Sequence, residues 1–196
     1  MLTVYAIVVE WDADMKKSVN NSTLKIALCS IISALATALL LLTSVIPFGT
    51  FAVPCMAGIF MIAIVIEYGY KWAFGVFAVI SLLSLFLAGD KESVLFFIAI
   101  FGHYPIVKGI IESKIKIKPV NYAIKLIIFN IGAIVAFFAG TFLLSIPAEE
   151  YTLFGIYMPW VFLIIANGFF ILYDIAVTGL VGYYVCNLRN KIFRGK

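Results

Sequence analysis

The sequence predicts an all-α membrane protein: a bundle of six transmembrane helices with both ends on the cytoplasmic side. Three observations predict it. Of 196 residues, 64% are hydrophobic and only 12% charged, with a mean hydropathy of +1.13, whereas soluble domains are about half apolar. The polar residues are bunched, leaving apolar blocks that approach the ~20 residues needed to cross the hydrocarbon core. The basic residues fall almost entirely on one side of the resulting bundle, as the positive-inside rule requires.

The six predicted spans are Leu24–Ile46, Phe51–Tyr68, Trp72–Leu87, Ser93–Ile111, Tyr122–Ile146 and Pro159–Tyr183. They form one domain over residues 23–188, between a cytoplasmic segment 1–22 and a basic tail 189–196. Spans two and three are joined by EYGYKW, and three and four by AGDKES, both read as tight turns between antiparallel helices. Lys16, Lys17, Lys25, Lys71, Lys108, Lys114, Lys116, Lys118, Lys125, Arg189, Lys191, Arg194 and Lys196 share one side, and Lys91 stands alone on the other with Asp90, Glu92, Glu149 and Glu150. Tyr157 and Trp160 mark the outer interface of span six, and Tyr183 and Tyr184 the inner one. The location expected is the cell membrane.

The net charge of +4 needs no nucleic acid, since topology and attraction to anionic inner-leaflet lipid explain it. IESKIKIKPVNYAIK interleaves lysine with isoleucine and reads as an interfacial segment. Cys29, Cys55 and Cys186 show no metal or disulfide spacing and read as small apolar filler. MLTVYAIVVEWDAD is too short to span and too acidic for a signal peptide, while MKKSVNNSTLKIAL reads as a natural start, so translation is expected to begin at Met15.

Span one carries Ala27, Ser30, Ala34 and Ala38 on one helix face, with Ser33 and Thr37 as an adjoining stripe. Small residues at this spacing let another helix approach closely, either within the bundle or from a separate membrane subunit. The stretch TLKIALCSIISALATALLLLTSVIP ends at Pro47. It is followed by VPCMAGIFMIAIVIEYGYKWAFGVFAVISLLSLFLAG, punctuated by Glu67, Gly69 and Gly75. Together they resemble the substrate-binding S components of energy-coupling factor (ECF) vitamin transporters. The resemblance covers most of Leu24–Arg189. It implies a six-helix protein that binds a vitamin or similar small molecule, uses no cofactor, and relies on a transmembrane coupling subunit with ATPases. It also implies that Ala27, Ser30, Ala34 and Ala38 dock that subunit. The sequence departs from the family in lacking an acidic residue ahead of Pro54, and it carries no vitamin-specific signature.

Charges within a span are costly and mark candidate sites. Glu67 has Lys71 four residues on, and Lys108 has Glu112, each pair near the cytoplasmic end. Lys125 has no acidic neighbour at helical spacing and is expected to snorkel. Asp174 has no cation among its same-face neighbours Phe170, Ile171, Val177 and Thr178. Asn167, Asn130 and His103 lie at comparable depth, so His103, Asn130, Asn167 and Asp174 are the candidate ligand-binding set, or else an interhelical polar clamp. Pro105 should kink span four near Phe101, helped by Gly102.

No phosphate loop, HExxH or GxSxG motif occurs, so neither an enzyme nor a metal site is expected. Two rival classes remain: a structural membrane protein of an envelope-assembly complex, and a proton-linked carrier. The lack of an internal repeat disfavours the latter.

Overall fold

A computed structural model describes residues 22–46, 49–143, 152–153, 156–157 and 159–188. The expectations for the Met15 start, residues 1–14, the basic tail 189–196 and the Tyr157 side chain fall outside what is described. Besides turns and short links, the described residues are helical apart from an antiparallel pair of two-residue strands, β1 (Thr152–Leu153) and β2 (Ile156–Tyr157). The helices are α1 (Ser22–Leu42), α2 (Ala52–Ile59), α3 (Met61–Leu87), α4 (Lys91–Phe96), α5 (Tyr104–Lys114), α6 (Lys118–Leu143) and α7 (Pro159–Tyr183). Wider π-turns at Phe97–Phe101 and Tyr184–Leu188 follow α4 and α7. By length and composition, five helical stretches among the described residues are long and apolar enough to cross a membrane: Thr23–Leu42, Met61–Leu87 counted across a backbone break at Gly69, Lys91–Lys114, Lys118–Leu143 and Trp160–Asn187.

Within α3 the backbone at Gly69 leaves the helix, at φ 79° and ψ 179°. Only glycine adopts this conformation without strain. The contacts show what it does. A Cβ on Gly109 would meet Tyr70 and Val65, one on Gly102 would meet Phe77, and one on Gly58 would meet the Phe101 carbonyl. Residues 65 and 70 are thus level with Gly109, and residues 58 and 77 level with Phe101–Gly102. The chain doubles back at Gly69, as the reading of EYGYKW expects. The same break overturns the expected Glu67–Lys71 helical pair, because the residues flank a reversal and share no regular helix face. Glu67 instead accepts from the Tyr184 hydroxyl at 3.4 Å.

Other boundaries move for local reasons. α1 ends at Leu42, not Ile46, where the chain turns and Thr43 bonds back to the Leu40 carbonyl. The second predicted span is α2 plus the first part of α3, divided at Phe60. α6 starts at Lys118, four residues before the expected Tyr122, with Pro119 in the first turn where a missing N–H is harmless. Only Ile115–Ile117 link α5 to α6. At the AGDKES turn, Asp90 caps α4 by accepting from the Glu92 and Ser93 amides. Ser44 ties the end beyond α1 to this turn by accepting from the Gly89 and Asp90 amides.

Two apolar cores result. One holds Cys29, Ala36, Leu40, Met61, Ile64, Ile80, Phe97 and Ile106, joining α1 and α3 to one side of the α4–α5 stretch. The other holds Ile100, Tyr104, Phe129, Phe170, Tyr173 and Val177, joining its other side to α6 and α7. Cys29 is buried as expected, but Cys186 is exposed on the last π-turn, so it fills no packing gap.

Candidate functional site: a buried charge cluster and an outward small-residue face

Asp174 on α7 is 3% exposed and does not stand alone. The Lys108 ammonium on α5, wholly buried, bonds its Oδ1 and also donates to the Asp174 carbonyl at 3.0 Å and to Thr178 Oγ1 at 2.7 Å. Lys125 on α6 donates to both Asp174 oxygens, at 3.1 and 3.0 Å. It also donates to Glu112 Oε1 at 2.8 Å and sits 4.6 Å from the Tyr122 ring centre. Glu112 completes the ring with Lys108 at 3.2 Å. The Tyr104 hydroxyl donates to Asp174 Oδ1 at 2.5 Å. Thr178 donates its O–H to the Asp174 carbonyl at 2.8 Å, which leaves a lone pair to accept from Lys108.

Two ammonium groups face two carboxylates, so the cluster is formally neutral. The chemistry fits a low-dielectric interior, where an isolated ion is prohibitive but a fully hydrogen-bonded set is tolerated. The predicted Lys108–Glu112 pair is present. Snorkelling is not: Lys125, 2% exposed, points inward to Asp174.

The expected convergence of four polar residues also changes. Asn130 and Asn167 bond reciprocally through their amides, at 2.9 and 3.0 Å. Each keeps its second amide hydrogen on its own helix, on the carbonyls of Leu126 and Leu163. Asp174 lies two turns further along α7, about 10 Å at helical rise, and an aromatic layer fills the interval. Phe129 stacks on Phe170 at 4.3 Å, and Tyr104 meets Phe170 edge-on at 5.0 Å. His103 belongs to neither group. Its Nδ1 is 3.1 Å from the Ile98 carbonyl and its ring lies edge-on to Phe77. It lines an open groove with Ala99, Ile128, Ile131, Gly132 and Val135.

The asparagine pair gives a direct test. In Asn130→Ala the Asn167 amide loses its partner, so stability should fall by about 0.6–1.7 kcal/mol, the range for interhelical hydrogen bonds in membranes. The double variant with Asn167→Ala should be no worse than either single, as a double-mutant cycle of reversible unfolding in mixed micelles would read.

On α1 the two small-residue stripes part company. Ser33 and Thr37 are buried against the bundle with Cys29, Ile32, Ala36 and Leu40. Ala27, Ser30, Ala34 and Ala38 are all exposed. The expected wide groove is therefore two faces, one consumed by packing and one left outward. Lys25, at the start of α1, lies over Tyr68 and Trp72 at 5.7 and 5.8 Å from their ring centres and fixes this end of the helix.

Among the described residues no group of three or more His, Cys, Asp or Glu side chains is placed to hold a metal. Comparisons with family models, with curated proteins and with solved structures find no match.

Proposed function

We propose that this chain is a membrane-embedded component that binds a small nutrient, such as a vitamin, and imports it with a partner coupling subunit and its ATPases. The observation that carries the reading is the exposed stripe Ala27, Ser30, Ala34 and Ala38 on α1. A lipid-facing helix surface gains nothing from small side chains, whereas a second helix can approach closely along them.

In this reading the chain crosses the cell membrane six times. The reversal at Gly69 supports dividing α3 between two passes. Lys25, Lys71, Lys108, Lys114, Lys116, Lys118 and Lys125 then lie toward the cytoplasm, where anionic lipid receives the outermost of them, and Lys91 lies outside. The nutrient enters from the outer side, toward Asn130, Asn167 and His103. The chain performs no chemistry of its own, and Asp174 is a clamp that holds α5, α6 and α7 together beneath the site.

Ala34→Trp should abolish co-purification of the coupling subunit while leaving small-molecule binding intact. Leu82→Trp, equally bulky on an exposed position of α3, should leave both intact. Undiminished assembly in Ala34→Trp would overturn the docking role.

A second reading is a scaffold in an envelope-assembly complex, with the same α1 face docking a morphogenetic partner. The mutual pairing of Asn130 with Asn167, and of Asp174 with two lysines, favours it. A tightly retained small molecule would exclude it.

A further inference from the structure

We propose that α5 is a hinged arm, pivoting on Gly102–Pro105 and closed against α6 and α7 by the charge cluster of Lys108, Glu112, Lys125 and Asp174. The hinge is visible in the backbone. The π-turn over Phe97–Phe101 ends with the Gly102 amide bonded to the Phe97 carbonyl at 2.7 Å, five residues back. Pro105 has no N–H to return to Phe101, and regular bonding resumes with the Ile106 and Val107 amides on the His103 carbonyl. The continuous ladder that would make α4 and α5 one stiff rod is therefore interrupted, and an apolar void lies beside Pro105 between α3 and α7.

The two sides of the hinge are held differently. On the α4 side, backbone meets backbone: Gly132 of α6 abuts the Ala99 carbonyl and Gly58 of α2 abuts the Phe101 carbonyl. Such contacts leave no slack. On the α5 side, Tyr104, Lys108 and Glu112 recur at four-residue intervals on one face, and the polar attachments to α6 and α7 come from this row. Thus the stretch before Gly102 is fixed by shape, while the arm packs on α3 through Ile106 and Gly109 and is joined to α6 and α7 by the Tyr104 ring and the charge cluster. A latch of this kind releases as a unit, because losing one carboxylate leaves two buried ammonium groups sharing the other.

Amide hydrogen exchange of the whole protein in nanodiscs tests this. In Asp174→Asn, protection over Ile106–Lys114 should fall by about a hundredfold or more relative to Lys91–Phe96, which should keep its protection. Glu112→Gln, at the rim of the cluster with a 13% exposed side chain, should give a smaller loss confined to the same amides, and serves if Asp174→Asn does not fold. Pro105→Ala restores the helical donor and should raise protection of Ile106–Lys114. Equal loss on both sides of Gly102, or no loss in either cluster variant, would overturn the hinged arm.

Discussion

Asp174→Ala should destabilise the protein by about 3–5 kcal/mol, the range for breaking a buried ion pair from one side. The variant removes the acceptor for Lys108, Lys125 and Tyr104 at once. Glu112 alone must then serve two buried ammonium groups, and the Tyr104 hydroxyl is left without its partner. The magnitude belongs to the orphaned charges rather than to the pair itself. The quadruple variant Asp174→Leu, Lys108→Met, Lys125→Met, Glu112→Gln, which removes both ammonium groups and both carboxylates, should therefore recover most of the loss, since apolar replacement of an entire buried ion set is often neutral or stabilising. Unfolding in mixed micelles reads both. A quadruple variant less stable than Asp174→Ala would show that the hydrogen-bonded geometry itself, not charge compensation, holds α5, α6 and α7 together.

Gly132→Leu should be comparably damaging, at or above the ~3 kcal/mol upper end for overpacking. A Cβ at Gly132 would overlap the Ala99 carbonyl oxygen, which is main chain on the π-turn and cannot rotate away. α6 would have to separate from the α4–α5 stretch, pulling Lys125 from Asp174. The contrast is Gly75, helical and with open space where a Cβ would go. Gly75→Ala should gain about 0.4–1 kcal/mol by restricting the unfolded chain. Equal effects of the two substitutions on unfolding would contradict the close approach of α6 to the π-turn.

Much of this was legible in the sequence. The apolar blocks placed the helices, because a membrane span leaves a strong compositional trace. Gly69 and Asp90 marked their turns, and Pro105 with Gly102 marked the interruption, since these residue types act locally. The partners of Asp174 were not legible. Its own helix supplies no cation, and pairing between helices leaves no spacing rule in one sequence.

One boundary concealed them further. With α6 beginning at Tyr122, Lys125 lies a turn from the helix end and snorkelling suffices. With α6 beginning at Lys118, Lys125 is two turns in. Lys108 lies as far from the end of α5 at Lys114, so the two lysines reach equal depth and meet the same carboxylate. The small-residue stripe of α1 shows the opposite case. Spacing identified the small residues of α1, but only packing separates Ser33 and Thr37, which face the bundle, from Ala27, Ser30, Ala34 and Ala38, which face out.

Native mass spectrometry of the protein purified from its own host in mild detergent tests the uptake reading most directly. The account predicts a retained small molecule that is lost in Asn167→Ala, together with a membrane subunit and ATPases that are lost in Ala34→Trp. An empty protein travelling with envelope-assembly proteins would contradict it and establish the scaffold in its place.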